Sequence, residues 1–210
     1  MEEKRTLSIG VIVFDDVMTL DFVGPTSYLE QLPSIDVPVE FVTISNKEGR
    51  IQPGNKVALH ATTHFKDAPT TFDILVVPGG KGREQLVKDQ EFLDYIKTAA
   101  EGATYVLSVC TGSYILAAAG LLDNKNATTN KIAYNFVASS FPNVNWVRQA
   151  RWVVDDKWWT SSGVSAGLDM GYAFISDKYS SKVADEMARY LEIVPNKDPS
   201  NDPFVSSIDH

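Results

Sequence analysis

Cysteine and histidine are both scarce in this 210-residue chain. Cys110 is the single cysteine, so no intramolecular disulfide can form, which is compatible with a reducing compartment. The histidines are His60, His64 and His210. His60 and His64 lie four residues apart, but the residues between them are not typical of a helix. No cluster of Cys, Asp or Glu completes a ligand set, so we expect no metal.

Positive charge and long apolar runs are also in short supply. The chain has 19 Lys and Arg against 27 Asp and Glu, a net charge of −8, and it has no basic run. Phosphate backbones and anionic lipids repel such a surface, so we expect neither nucleic acid nor membrane as a partner. No segment approaches the roughly 20 apolar residues of a membrane span, and residues 1–6 lack the apolar core of a signal peptide. We expect one soluble, cytoplasmic domain over 1–210, with an irregular tail over 195–210.

Apolar strand-like runs alternate with helix-like segments along the chain. This alternation predicts a mainly parallel sheet covered by helices on both faces. Asp155-Asp156-Lys157 separates two strand-like runs that are rich in tryptophan, a hairpin signal. The predicted core strands are 7–14, 39–45, 72–77 and 105–109, with a short edge or hairpin strand at 57–60. Six helices are predicted: from Pro25 to 32, over 92–100, after Gly112, over 131–139, from 163 onward, and from 180 or 181 to about 190. Asn130 is the predicted cap of the helix over 131–139.

Cys110 lies at the corner between the fourth core strand and the helix that follows it. Such a tight turn requires small neighbours, and Ser108 and Gly112 stand two residues to either side, as glycines do in the G-x-S-x-G elbow of hydrolases. Next to the free N–H groups of a helix N-terminus, a thiol is expected to ionise more readily. The alternative is a buried and inert cysteine.

Three loops are expected to meet at one edge of the sheet, because ligands of such sheets bind at the carboxyl ends of the strands. These loops carry Asp21, Pro78-Gly79-Gly80 and Cys110. Taken alone, Asp21 also suits a helix cap before Val23-Gly24-Pro25. The glycines at 79, 80 and 82 lack the spacing of a phosphate-binding loop, so we interpret them as a turn with free N–H groups.

Five stretches of the chain together carry a resemblance to a known family: Leu20-Asp21-Phe22-Val23-Gly24-Pro25, Asp73 to Gly80, Ser108-Val109-Cys110-Thr111-Gly112-Ser113, Ala127-Thr128-Thr129 and Ser161 to Asp169. Taken together, they resemble the ThiJ/PfpI superfamily, relatives of the class I glutamine amidotransferases. The D-x-x-G-P motif beginning at Asp21 is most similar to the isocyanide hydratase branch. The resemblance implies a three-layer α/β/α sandwich with a flavodoxin-like, mainly parallel sheet and a cysteine nucleophile elbow.

The resemblance also implies an enzyme, a hydro-lyase, that works as a homodimer on a small-molecule substrate and uses no cofactor. Cys110 would be the nucleophile, and Asp21 would be its acidic partner. The backbone N–H groups of Gly80 and Thr111, next to Gly79, would form a pocket for developing negative charge. We further expect Trp152 and Val164 to contact the substrate, although tryptophans are more often core residues.

One departure from the family pattern bears on the reaction. Many relatives have a histidine after the Ala-Thr-Thr stretch, whereas this chain has Asn130. The missing imidazole weakens peptidase and glyoxalase-like chemistry and affects hydration by Asp21 less. The resemblance to the isocyanide hydratase branch implies hydration of an isocyanide by Cys110 and Asp21, through a thioimidate, to an N-substituted formamide. Two alternatives stay open: a sensor or protective protein in which Cys110 is oxidised, and a glyoxalase or deglycase acting on reactive aldehydes.

Overall fold

A seven-stranded sheet forms the centre of the protein in a computed structural model, which describes residues 5–206. The strands are β1 (Leu7–Ile12), β2 (Val39–Ser45), β3 (Gly49–Ile51), β4 (Leu59–Ala61), β5 (Thr63–His64), β6 (Ile74–Val77), β7 (Tyr105–Val109), β8 (Asn126–Ala127), β9 (Asn145–Trp146), β10 (Trp152–Asp155) and β11 (Trp158–Ser161). The helices are α1 (Thr19–Leu29), α2 (Arg83–Leu86), α3 (Gln90–Gly102), α4 (Gly112–Ala118), α5 (Tyr134–Ser140), α6 (Ala166–Lys178) and α7 (Ser181–Tyr190), with a 3-10 turn at Leu32–Ile35.

The central sheet has the strand order β10-β11-β7-β6-β1-β2-β5. All neighbouring strands are parallel except β10 and β11, which form the predicted antiparallel hairpin. All four residues of β6 are buried, as expected for a strand covered on both faces. The strands β3 and β4 pair separately as a small hairpin.

Two apolar clusters cover the two faces of the sheet. One contains residues of α3 and α4, among them Phe92, Ile96 and Leu116. The other contains residues of α1, α6 and α7, among them Tyr28 and Ile175. The predicted three-layer α/β/α sandwich is therefore confirmed.

Helix α1 begins six residues before the predicted start at Pro25, which lies in its interior. A proline there lacks the N–H that would pair with the carbonyl group of Asp21. Close packing against α6 offsets this loss, because a Cβ at Gly171 would lie 2.9 Å from the Tyr28 ring and 3.2 Å from Cα of Pro25. The same packing brings the first turn of α1, and Asp21 with it, to the carboxyl edge of the sheet.

One other predicted helix differs in detail. Helix α5 begins at Tyr134 rather than at 131, and Ala133, not Asn130, is the residue before its first turn. Within the described residues, the segment after α7 contains turns and a 3-10 turn at 205–206 but no α-helix or strand. None of the helices within residues 5–206 is both long enough and apolar enough to cross a membrane.

Candidate active site

Cys110 occupies the predicted elbow between β7 and α4. Its φ of 59° lies in the left-handed region, where a side chain other than glycine is strained. A Cβ at Gly112 would collide with the carbonyl oxygen of Val77. The elbow thus needs the small residue that the sequence places there.

Hydrogen bonds fix the backbone of Cys110 on both sides. Its N–H donates to the carbonyl oxygens of Ser161 and Ser162, at 3.2 and 3.1 Å. Its carbonyl oxygen accepts from the hydroxyl groups of Ser113 and Thr129, both at 3.1 Å. These partners come from the end of β11, from α4 and from the loop after β8, so three parts of the chain stabilise the strained turn.

The sulfur of Cys110 is buried among polar groups, and the residue is only 7% exposed. The backbone N–H groups of Thr111 and Val164 and the side chain of Asn130 hydrogen-bond to it. All three contacts favour the thiolate over the thiol. The site therefore contains three hydrogen-bond donors that can stabilise a negative charge on the sulfur of Cys110.

Asp21 is the acidic group next to this sulfur. Its side chain is fully buried, and its Oδ2 accepts a hydrogen bond from the N–H of Gly79 at 3.0 Å. The thiol of Cys110 interacts with the same carboxyl group. Oδ1 of Asp21 is buried and has no hydrogen-bond partner among the described residues. The helix-cap interpretation of Asp21 is wrong, because it is the third residue of α1 and Met18 precedes the helix.

Burial changes the proton affinities of both groups. It raises the pKa of Asp21 to about 7, against the opposing hydrogen bonds from Gly79 and Cys110. Burial, and next the charge of Asp21, raise the pKa of Cys110 to about 12. The expectation of a readily ionised thiol is thus wrong for the resting site, because desolvation outweighs the hydrogen bonds from Thr111, Val164 and Asn130.

The Pro-Gly-Gly loop after β6 lies directly beside the elbow. The N–H of Gly79 is occupied by Asp21, and the N–H of Gly80 donates to the hydroxyl oxygen of Thr111 at 3.2 Å. The N–H of Thr111 points to the sulfur of Cys110. A pocket formed by Gly80 and Thr111 for developing negative charge stays a prediction.

Asn130 occupies the place where many relatives have histidine, and sequence reasoning gave it no role at the sulfur. Its Oδ1 accepts a hydrogen bond from the N–H of Ala133 at 3.2 Å. A Cβ at Gly163 would collide with its Nδ2, so the glycine leaves room for the amide group. With its oxygen held in this way, the amide has its N–H₂ group available for Cys110.

A cavity of about 190 Å³ is lined by Asn130 and Val164, which hydrogen-bond to the sulfur, whereas Cys110 and Asp21 are not among its lining residues. Contact of Val164 with a substrate stays a prediction, although Val164 lines the cavity. Trp152 does not line the cavity; it is buried in the apolar cluster on the α6 side of the sheet, which also contains Cys110 and contacts Val164. Phe204, from the tail, does line the cavity, and no sequence signal pointed to that residue. The remaining lining residues are Lys131, Ile132, Ser162, Gly163 and Ser165.

The histidines lie elsewhere. His60 and His64 line an open cleft of about 490 Å³ at the other end of the sheet. The strand that carries His64 is four strands away from the one that leads to Cys110, a distance of roughly 19 Å. His210 lies outside the described residues. No group of three or more His, Cys, Asp and Glu suited to a metal ion occurs within residues 5–206.

An α/β sandwich with a cysteine at its strand-to-helix elbow and a buried carboxyl group beside the sulfur defines a recognisable class of protein. Residues 7–177 match the model of the DJ-1/PfpI family. The chain belongs to this family.

Individual relatives point the same way. An isonitrile hydratase from Pseudomonas putida is 34% identical over 193 residues, which cover 90% of this chain and 79% of the relative. A deglycase from Pyrococcus abyssi is 30% identical over 125 residues, covering 58% and 72%. The crystal structure of a ThiJ/PfpI family protein from Pseudomonas syringae superposes with a TM-score of 0.83 at 24% identity, covering 98% and 86%, which shows a common fold.

Proposed function

We propose that this protein hydrates an isocyanide, also called an isonitrile, to an N-substituted formamide. The observation that carries the proposal is the pairing of Cys110 with a buried carboxyl group, Asp21, whose pKa is about 7. Similarity to an isonitrile hydratase over 90% of the chain supports the choice of substrate class.

The first step joins the thiol and the isocyanide. With a pKa of about 7 for Asp21 and about 12 for Cys110, the pair holds one proton at pH 8, and that proton lies on sulfur. The Asp21 carboxylate accepts this proton as sulfur bonds to the terminal carbon of the isocyanide. Asp21 then returns the proton to the same carbon, which gives the thioimidate Cys110–S–CH=N–R.

The second step consumes water. Asp21, again a carboxylate, takes a proton from water as the oxygen attacks the thioimidate carbon, and it passes that proton to nitrogen. The C–S bond then breaks as the hydroxyl group of the adduct gives up its proton, which Asp21 passes to the sulfur of Cys110, and R–NH–CHO leaves. The hydrogen bonds from Thr111, Val164 and Asn130 lower the energy of the departing sulfur, because they favour its anionic form.

The two alternative functions fit this site less well. Deglycase or glyoxalase chemistry that uses an imidazole base lacks one, because Asn130 stands where the ring would be and His64 lies roughly 19 Å away. Oxidation of Cys110 by peroxide requires a thiolate that is accessible. A thiol that is 7% exposed, with a pKa of about 12, is a slow target.

The test is formation of N-substituted formamide from an alkyl or aryl isocyanide. We expect wild type to form it in water and Cys110→Ser to lose at least about 10³-fold in kcat/KM, because a hydroxyl group is a much weaker nucleophile. Asp67→Asn, in the distant histidine cleft, is the matched control and should keep full activity. Full activity in Cys110→Ser, or no formamide from the wild type with any isocyanide, contradicts the proposal.

A further inference from the structure

The tail after α7 is irregular, yet hydrogen bonds hold it to the body of the protein. The carbonyl oxygen of Pro199 accepts from the N–H of Arg151 at 2.7 Å. The N–H of Asn196 donates to Oδ1 of Asp169 at 2.8 Å. The side-chain amide of Gln149 donates to the carbonyl oxygen of Ser200 at 2.9 Å. Residues 196–204, here called the C-terminal strap, therefore have a defined position.

Asp202 anchors the C-terminal strap by charge. Its carboxyl group is fully buried, with Oδ2 at 3.5 Å from Nζ of Lys131 and Oδ1 at 3.9 Å from a terminal guanidinium nitrogen of Arg151. Both cations are themselves buried, and Arg151 also pairs with Asp169 at 2.7 Å. Two cations and two anions thus share one buried cluster. Because unpaired buried charge is costly, Asp202 fixes the C-terminal strap against the loop that carries Lys131.

Phe204 follows this anchor by two residues and depends on it. Its N–H donates to Oδ1 of Asp202 at 3.0 Å, and its ring centre lies 5.8 Å from the guanidinium carbon of Arg151. The ring lines the cavity together with Asn130 and Val164, the two residues there that hydrogen-bond to the reactive sulfur. Phe204 is 54% exposed, so a large part of its apolar side chain is not used in the core.

The substrate of the proposed reaction has few features to recognise. An isocyanide carries no charge and no hydrogen-bond donor, and its reacting carbon is terminal, so the group R on nitrogen extends away from Cys110. Discrimination between isocyanides must then come from apolar contacts with R. Phe204, Val164 and Ile132 are the apolar side chains of the cavity.

We propose that the C-terminal strap is a wall of the substrate cavity and that Phe204 selects isocyanides with a bulky apolar R group, such as benzyl or cyclohexyl, over methyl isocyanide. The inference rests on the proposed hydratase function for the identity of the substrate. The position of Phe204 rests on the buried charges of Asp202, Lys131 and Arg151.

The first test compares two substrates in two matched variants. In Phe204→Ala, the ratio of kcat/KM for benzyl isocyanide to that for methyl isocyanide should fall about 10-fold, as expected for loss of an apolar contact. Phe136→Ala removes an aromatic ring of similar exposure, 47%, that does not line the cavity, and it should keep the wild-type ratio. An unchanged ratio in an active Phe204→Ala overturns the proposal.

A second readout does not require hydratase activity. Alkylation of Cys110 by N-benzyl iodoacetamide and by iodoacetamide is followed by intact mass over hours at alkaline pH, because the buried thiol with its raised pKa reacts slowly. We expect wild type to favour the benzyl reagent and Phe204→Ala to lose most of that preference. If wild type forms no formamide, the proposed function fails, while this preference still decides the role of Phe204; equal preference in both proteins refutes it.

Asp202→Asn tests the anchor separately. It keeps the shape of the side chain and removes the charge, so the C-terminal strap should loosen and trypsin should cut after Lys197 faster than in wild type. The preference for bulky reagents should fall in parallel. Unchanged cleavage together with unchanged preference shows that Asp202 does not position Phe204.

Discussion

Two clusters of buried ionisable groups lie near the same cavity, and they differ in charge balance. Asp21 and Cys110 are both acids, and neither contacts a cation among the described residues. Lys131, Arg151 and two aspartates mix both signs. In the acid pair, the pKa of Asp21 is raised to about 7 and that of Cys110 to about 12, so the pair can transfer one proton. The mixed cluster holds the C-terminal strap in place. Under the proposed function, similar burial serves catalysis in the acid pair and structure in the mixed cluster.

Neutralising the acid pair should have the largest effect on activity. Asp21→Asn keeps the size of the side chain but cannot take the thiol proton, so kcat should fall about 10³-fold, within the range for loss of a general acid-base group. The measurement is formamide production at saturating isocyanide. The distinction between the two clusters breaks down if Asp202→Asn, properly folded, lowers kcat as much as Asp21→Asn does.

The free energy of unfolding should change in opposite directions when the two clusters are neutralised. At pH 8, Asp21→Asn should stabilise the protein by roughly 2 to 4 kcal/mol, because the native pKa of about 7 means that ionised Asp21 is disfavoured by folding. Asp202→Asn should destabilise it by about 3 kcal/mol at pH 7, because Lys131 then loses its carboxylate partner; burial lowers the pKa of Lys131 to about 8, so it is mostly charged at this pH. Urea unfolding measures both changes. Shifts of the same sign contradict the assignment of one cluster to chemistry and the other to structure.

Substitution of Asn130 should have a smaller effect on activity than substitution of Asp21, and it tests the hydrogen bonds to the sulfur of the acid pair. Asn130→Ala removes a hydrogen bond to the sulfur, which should lower kcat/KM about 10-fold, the equivalent of a typical net hydrogen bond. The loss should appear in formamide kinetics with little change in urea midpoint. Gly163→Ala, which pushes on the same amide, should give a loss in the same direction. Wild-type kinetics in both variants remove Asn130 from the reaction.

The smallest effect is expected at the histidines. His64→Ala should leave kcat/KM for formamide formation within about twofold of wild type, because His64 is four strands away from Cys110 and outside the cavity. A tenfold loss here indicates that the histidine cleft takes part in the reaction.

Local patterns in the sequence were sufficient for much of the fold and part of the site. The apolar run at 74–77 and the Asp155-Asp156-Lys157 turn predicted a core strand and a hairpin, because burial and turn chemistry act over a few residues. The elbow at Cys110 followed from a strand meeting a helix without a loop. The proximity of Asp21 to Cys110 was expected from the rule that loops after parallel strands share one edge.

What the sequence did not predict depends on contacts between distant residues. Pro25 suggested a late start for α1, whereas packing of Gly171 against that helix allows proline in the interior. The raised pKa of Cys110 follows from the depth of burial, which a turn motif does not encode. Phe204 lies at the cavity next to Asp202, whose buried partners Lys131 and Arg151 are far away in the chain.

We propose above that Cys110 and Asp21 share one proton and that its transfer from the thiol through the carboxyl group starts the reaction. The most direct test of this proposal is the pH dependence of kcat/KM for formamide formation between pH 5 and 9, in wild type and in Asp21→Asn. Wild type should rise through a pKa near 7 to a plateau, because the reactive form carries the Asp21 carboxylate and the Cys110 thiol. The stability contributed by Asp21 should fall over pH 4 to 7, since the native state binds the proton more tightly than the unfolded state. A rising limb near pH 7 that persists in Asp21→Asn, or wild-type activity that falls through pH 7, contradicts the account.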